Sequence, residues 1–200
     1  MVQRSGTKSW STVEERHGRQ LGALYAILSS HGRFSVVTNG DDTLNVALQI
    51  TRNLFQYYAA DSRVVDQISR ASVSSGNVVN VLFGPEPKLP QLDSYPISIE
   101  HGSGISVRDA SGLKVVYAFE EGLGAVFLRP IPGERLELVV WGLDEIGLHQ
   151  AARLVPMLTG VGQGDFVIVS KTCLWTGAQG ALAMGFLDRT WNVTKASYFT

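Results

Sequence analysis

Few residues in this sequence are spaced for chemistry, and those that are sit where apolar runs end. Asn39, Asp41 and Asp42 follow FSVVT at 34–38, and Trp141 and Asp144 close and follow the run LELVVW at 136–141. Acids and an amide beside an aromatic wall suit a neutral polar ligand such as a sugar or a small amide. The same carboxylates also suit helix capping, because they accept from the free N–H groups of a first helical turn. Ligand binding requires more than capping does. Residues 34–38 and 136–141 must be parallel neighbours, so that all five residues converge outside the carboxyl ends of the strands.

Other reaction types lack their parts. His17, His31, His101 and His149 are far apart, without the spacing of a metal site, and His149 falls at the boundary of an apolar helical stripe. Ser103 sits in His101-Gly102-Ser103-Gly104 between short β segments, where a turn is expected; no G-x-S-x-G elbow is present. GVGQG at 160–164 precedes a strand instead of opening a helix, so it does not read as a phosphate loop. Cys173, the single cysteine, stands beside Leu174 and Trp175 and reads as a small buried hydrophobe. Asn192-Val193-Thr194 is a formal glycosylation triplet, without weight for a chain that is not exported. No catalytic residue, metal site or cofactor is expected.

The whole chain sets the frame for these residues. Its 200 residues suit one substantial domain, and 44% hydrophobic with 18% charged residues suits a soluble one. A formal net charge of -1 offers no general attraction to nucleic acid or anionic membrane. No secretory leader or membrane-spanning run is read, which points to the cytoplasm for the chain as written. Secretion is expected if it is a fragment of a longer exported polypeptide.

The elements that must position the candidates follow from periodicity. Residues 1–20 are polar and aperiodic and are expected to be poorly ordered; 21–200 reads as one α/β domain. Leu21, Leu24, Tyr25 and Leu28 recur at helical spacing. After the strand at 34–38, Asn39-Gly40 turns the chain into a helix capped by Asp41 or Asp42. Its stripe is expected to be Leu44, Ala47, Leu48, Thr51, Leu54, Phe55 and Tyr58, widened by Val46, Ile50 and Tyr57. VVNVLF at 78–83 is a buried-type strand. PISIE, GISVRD and LKVVYAF predict antiparallel strands, and GAVFLR and RLELVVW pair across Pro130–Glu134. Asp144 caps a helix carrying Leu148, Ala151, Ala152 and Val155. With FVIV at 166–169, the stretch 136–169 predicts a right-handed βαβ unit. The fold class is α/β: a mixed sheet with two strand-loop-helix units, helices packed on it, and antiparallel strands in the middle section.

The segments NVVNVLFG, GLGAVFLRPIPGERLELVVWG, GLHQAARLVPMLTGVGQGDFVIV and GALAMGFLDRTWNV, in that order, carry a resemblance. Over residues 32–194 the chain resembles the carboxy-terminal region of large fungal and bacterial serine hydrolases of the α/β-hydrolase, prolyl-oligopeptidase-like type. The resemblance implies a covered α/β module outside the catalytic core. Such a module is non-catalytic and accessory, and its partner is a hydrolase domain or subunit, or a second copy of the chain. A separated module exposes formerly covered apolar surface, and Phe55, Tyr57, Tyr58, Phe186, Trp191, Tyr198 and Phe199 are the candidates. The alternative is a small enzyme, a hydrolase by class, or a ligand-binding protein that uses the strand-end acids and Trp141.

Overall fold

The computed structural model describes residues 13–66, 75–155 and 164–200. The β-branched run FSVVT forms β1 (Phe34–Thr38), which leads through α1 (Asp41–Tyr58) to β2 (Ser62–Asp66). β3 (Val78–Phe83) pairs with the other side of β1 and then with β8 (Arg135–Gly142). These four strands are mutually parallel, in the order β2-β1-β3-β8. β7 (Gly124–Ile131) runs antiparallel beside β8, as the turn at Pro132–Glu134 predicts, with Gly133 and Glu134 both at positive φ. β9 (Phe166–Val169), β10 (Ala181–Gly185) and β11 (Tyr198–Phe199) extend the sheet beyond β7 in antiparallel steps to eight strands.

α2 (Glu145–Ala152) lies between β8 and β9 in sequence, and the two strands are parallel members of one sheet, as the βαβ reading of 136–169 expects, although they are not neighbours. β7 lies between the two parallel strands. The adjacent unit is instead β1-α1-β2, whose second strand, SRVVD, was not anticipated. Charges at both of its flanks leave only two β-branched residues, and as an edge strand it needs no continuous apolar run.

The middle strands form a sheet of their own. β4 (Ile97–Glu100), β5 (Gly104–Arg108) and β6 (Lys114–Ala118) are antiparallel in that order. Period-two alternation turns Ile97, Ile105, Val107 and Tyr117 into the shared core. The small sheet lies over one face of the large one: Phe119 packs on Trp141, and the Tyr117 hydroxyl donates to Leu182 O at 2.9 Å. α1 and α2 cover the opposite face, where Val36, Val79, Val126 and Leu138 point. The α/β class therefore holds, in a strand-dominated form with a large mixed sheet.

Two helical readings need correction. Residues 24–28 form a short 3-10 helix in place of an amphipathic α-helix, with Leu24 buried and Leu21 and Tyr25 exposed. In α1 the buried residues are Thr43, Val46, Ala47, Ile50 and Leu54. Leu44, Leu48 and Phe55, expected in the buried stripe with Ala47 and Leu54, are exposed. The helix is apolar on two adjacent faces, and the sheet takes only one.

Residues 13–20 belong to the fold. Arg16 is 4% exposed and forms an ion pair with Asp165 at 2.8 Å. Its guanidinium stands 4.6 Å from the centre of the Trp191 ring and donates to Leu187 O and Gly22 O.

Candidate functional site

Three parallel strands, β1, β3 and β8, end on the same side of the sheet, and the five candidate residues are distributed there. Asn39 is half-buried. Its Nδ2 donates to Val81 O at 2.8 Å and to Asn80 Oδ1 at 3.4 Å, while its Oδ1, shut off from solvent, receives no hydrogen bond. Gly40, at φ 114, turns the chain into α1 as its N-cap. Asp41 and Asp42 lie exposed inside the first turn, where their charge favours the helix dipole. Neither side chain caps. Thr43 does the local work: its Oγ1 accepts from Asn39 N at 2.8 Å and donates to Gly40 O at 3.0 Å.

Trp141 is fully buried. Its Nε1 donates to Gly84 O at 2.9 Å, so the ring is core and forms no open wall. Asp144 is the N-cap of α2, as predicted, and spends both oxygens on backbone: Oδ1 accepts from Gly147 N and Oδ2 from Gly122 N, each at 2.8 Å. β3 separates β1 from β8, so the strands are parallel without being neighbours. Asn39, Asp41 and Asp42 cluster at one strand end, Trp141 and Asp144 at another. Gly84 N bonds Gly142 O at 2.9 Å between them.

The glycines of the second cluster show why the loop has its sequence. A Cβ on Gly147 would stand 2.0 Å from Leu123 O, and one on Gly142 would stand 2.0 Å from Leu148 N. The start of α2 is pressed against the ends of β7 and β8 at backbone contact distance. Trp141-Gly142-Leu143-Asp144-Glu145 turns, caps and packs.

Two buried charge clusters escaped the sequence reading. Arg129 and Glu137 face each other across the β7–β8 hairpin, 3% and 0% exposed, with Nε and Oε2 2.9 Å apart. Asn80 Nδ2 donates to Glu137 Oε1 at 2.9 Å, and Arg129 donates to Pro90 O at 2.8 Å. Beside them the Tyr95 hydroxyl donates to Leu128 O, and burial pushes its pKa far up, so it stays a neutral donor. The signal was available: register through the Pro132–Glu134 turn places Arg129 opposite Glu137. The Arg16–Asp165 pair had no such signal, because it joins residues 149 apart.

Three cavities lie among the described residues. An apolar crevice between α1, α2 and the 3-10 helix, lined by Tyr25, Leu54, Tyr58 and Val155, is about 20 Å³, on the order of the space one water needs. A cleft of about 160 Å³ beside Pro87–Leu92 is lined by Arg108 and Arg129. Both guanidiniums already donate to carbonyls, Arg108 to Tyr95 O at 3.0 Å. A shallow hollow of about 400 Å³ surrounds the Arg16–Asp165 pair.

The remaining candidates are surface features. His17, His101 and His149 stand exposed near Glu134, Glu86 and Glu145 at 3.1, 3.1 and 3.8 Å. Among the described residues no group of His, Cys, Asp and Glu is arranged to hold a metal, and no helix is long and apolar enough to cross a membrane. Ser103 occupies the β4–β5 turn, where its N–H donates to Glu100 O at 3.1 Å. Cys173 is half-buried in a four-residue helix with no buried residue, against the expectation of a core position; its neighbour Trp175 is 87% exposed. Of GVGQG, only Gly164 lies within the described residues.

No protein-family model matches the chain. An uncharacterized secreted protein of Arthroderma benhamiae is 44% identical over 199 residues, a match covering 97% of this chain and 21% of the relative. The chain spans about a fifth of the length of that relative, which thus carries a similar stretch within a far longer polypeptide.

Proposed function

We propose that this chain is a non-catalytic accessory module that packs against a larger body of the same exported polypeptide, a body of the serine-hydrolase type whose carboxy-terminal region it resembles. The observation that carries the reading is the second apolar face of α1. Leu44, Leu48, Thr51, Phe55 and Tyr58 recur at the alternating four-and-three spacing of a helix-packing seam. Leu44, Leu48 and Phe55 are 38%, 50% and 66% exposed. From Thr43 to Tyr58 the helix carries one charge, Arg52. Exposed apolar and aromatic residues with few charges are the composition of an interface core.

The size of the seam favours a tethered partner. Its bare side chains amount to an area on the order of a few hundred Å², and a stable contact between separate proteins buries about 1,200–2,000 Å². Contacts between domains of one chain start at about 600 Å², because the tether supplies a high effective concentration. The length and the secreted description of the Arthroderma relative support the same reading, including export.

The test grafts this chain in place of the matched region of that relative and follows hydrogen exchange along α1. Exchange in the graft is expected to slow by about tenfold, equivalent to ~1.4 kcal/mol, relative to the isolated chain. Leu48→Lys with Phe55→Lys should remove the difference. Indistinguishable exchange in graft and isolated chain, at every element, overturns the reading.

A further inference from the structure

Asn192-Val193-Thr194 gains meaning once export is in view. We propose that Asn192 carries an N-linked glycan, an inference that rests on the reading of the chain as part of an exported polypeptide. The triplet has the acceptor form Asn-x-Ser/Thr. Asn39, Asn45, Asn53, Asn77 and Asn80 all lack a Ser or Thr two residues on, so the chain offers one acceptor.

The fold presents this asparagine to solvent on a rigid support. Residues 187–193 form a tight hairpin in which Leu187 bridges Val193 and Asp188 N donates to Asn192 O at 2.8 Å. Asp188 Oδ1 accepts from Thr190 N, Thr190 Oγ1 and Asn192 N at 2.8, 2.8 and 3.0 Å, fixing the tip. Trp191 and Val193 are buried on either side, and Asn192 between them is exposed. Its surroundings, Asp188, Arg189, Thr190 and Lys195, are polar and exposed, as a hydrated sugar requires. The hairpin follows β10, near one edge of the large sheet, while α1 lies over β1, β2 and β3 at the other. A glycan there leaves the packing seam free.

The amide can accept the sugar without losing its place. Nδ2 donates one hydrogen to Thr190 Oγ1 at 2.8 Å, and an amide nitrogen carries two. In the transfer, Nδ2 forms a bond to the anomeric carbon of a lipid-linked diphospho-oligosaccharide. The bond from that carbon to the diphosphate oxygen breaks, the lipid diphosphate leaves, and Nδ2 gives up one proton. The second N–H keeps its partner.

The experiment adds an export signal peptide to the chain, expresses it in yeast, and weighs the secreted protein before and after an amidase that strips N-glycans. The expected result is a sugar mass on most of the protein, removed by the amidase with conversion of Asn192 to Asp in the peptide map. Asn192→Gln and Thr194→Val should abolish that mass, and Thr194→Ser should retain it. If a variant is not secreted, the Asn192 conversion in the parent peptide map decides alone. Secreted protein of bare mass, or a sugar mass that survives Asn192→Gln, overturns the proposal. Because the signal is supplied, this outcome judges the site separately from the graft, which judges the module.

Discussion

The carboxylate of Asp144 holds two amides that belong to different elements, Gly147 in α2 and Gly122 in the turn before β7. Asp144→Ala should therefore cost more than an ordinary cap, about 2 kcal/mol in a urea titration. Asp144→Asn, which would be near-neutral for a simple cap, should lose about 1 kcal/mol, because its Nδ2 would meet one N–H donor to donor. Arg129→Met strands the buried Glu137 carboxylate and should cost about 3–5 kcal/mol. The pair Arg129→Met with Glu137→Met should cost less than Arg129→Met alone; a more severe double variant would refute that balance. No turnover of model esters or anilides is expected from the isolated chain, and turnover abolished by Ser103→Ala would contradict this. Asp144 was legible in the sequence because a cap is a local device. Trp141 was not: whether an aromatic at a strand end is wall or core depends on what is laid over it, and here Phe119 and the small sheet are.

Within α1, two stripes with the same three-and-four spacing compete for the sheet, and the sequence cannot rank them by apolarity. Thr43, Val46, Ala47, Ile50 and Leu54 face the sheet, and Leu44, Leu48 and Phe55 are left outside. Leu48→Lys in the isolated chain should shift stability by no more than about 0.5 kcal/mol, as an exposed substitution does. A large loss would mean that the seam is already covered within the chain. At the start of α2 the reverse holds. Gly147→Ala puts a methyl group into Leu123 O and should destabilise by about 3 kcal/mol or more, read by thermal or urea unfolding. The strands with compact runs rich in valine, β1 and β3, were legible to the residue. β2 was not, since its pattern is completed only by its neighbour, and the short helix read from Leu21 to Leu28 is a 3-10 helix over Leu24–Leu28.

Across the molecule, strand order was the least legible property. Nothing local in VVNVLF says that it inserts between β1 and β8, yet that insertion is what separates Asn39 from Trp141. Charge linkage is also global in effect. Glu100 is held below the usual carboxylate range, first by the Lys114 ammonium at 2.5 Å and then by the Ser106 hydroxyl. A depressed carboxylate contributes stability above its unfolded pKa and loses it as pH falls through the folded one. The thermal midpoint should thus drop on acidification below the ordinary glutamate range, and Glu100→Gln should flatten that drop. The segment around Arg16 has a further consequence. Glu14 O receives the Trp191 Nε1–H at 2.9 Å and Arg16 N donates to Arg189 O at 2.7 Å, so stretches more than 170 residues apart in sequence lie side by side. Backbone clasped across such a span of sequence ties an early and a late segment of the fold to one another, so that loosening either one releases the hydrogen-bond partners of the other.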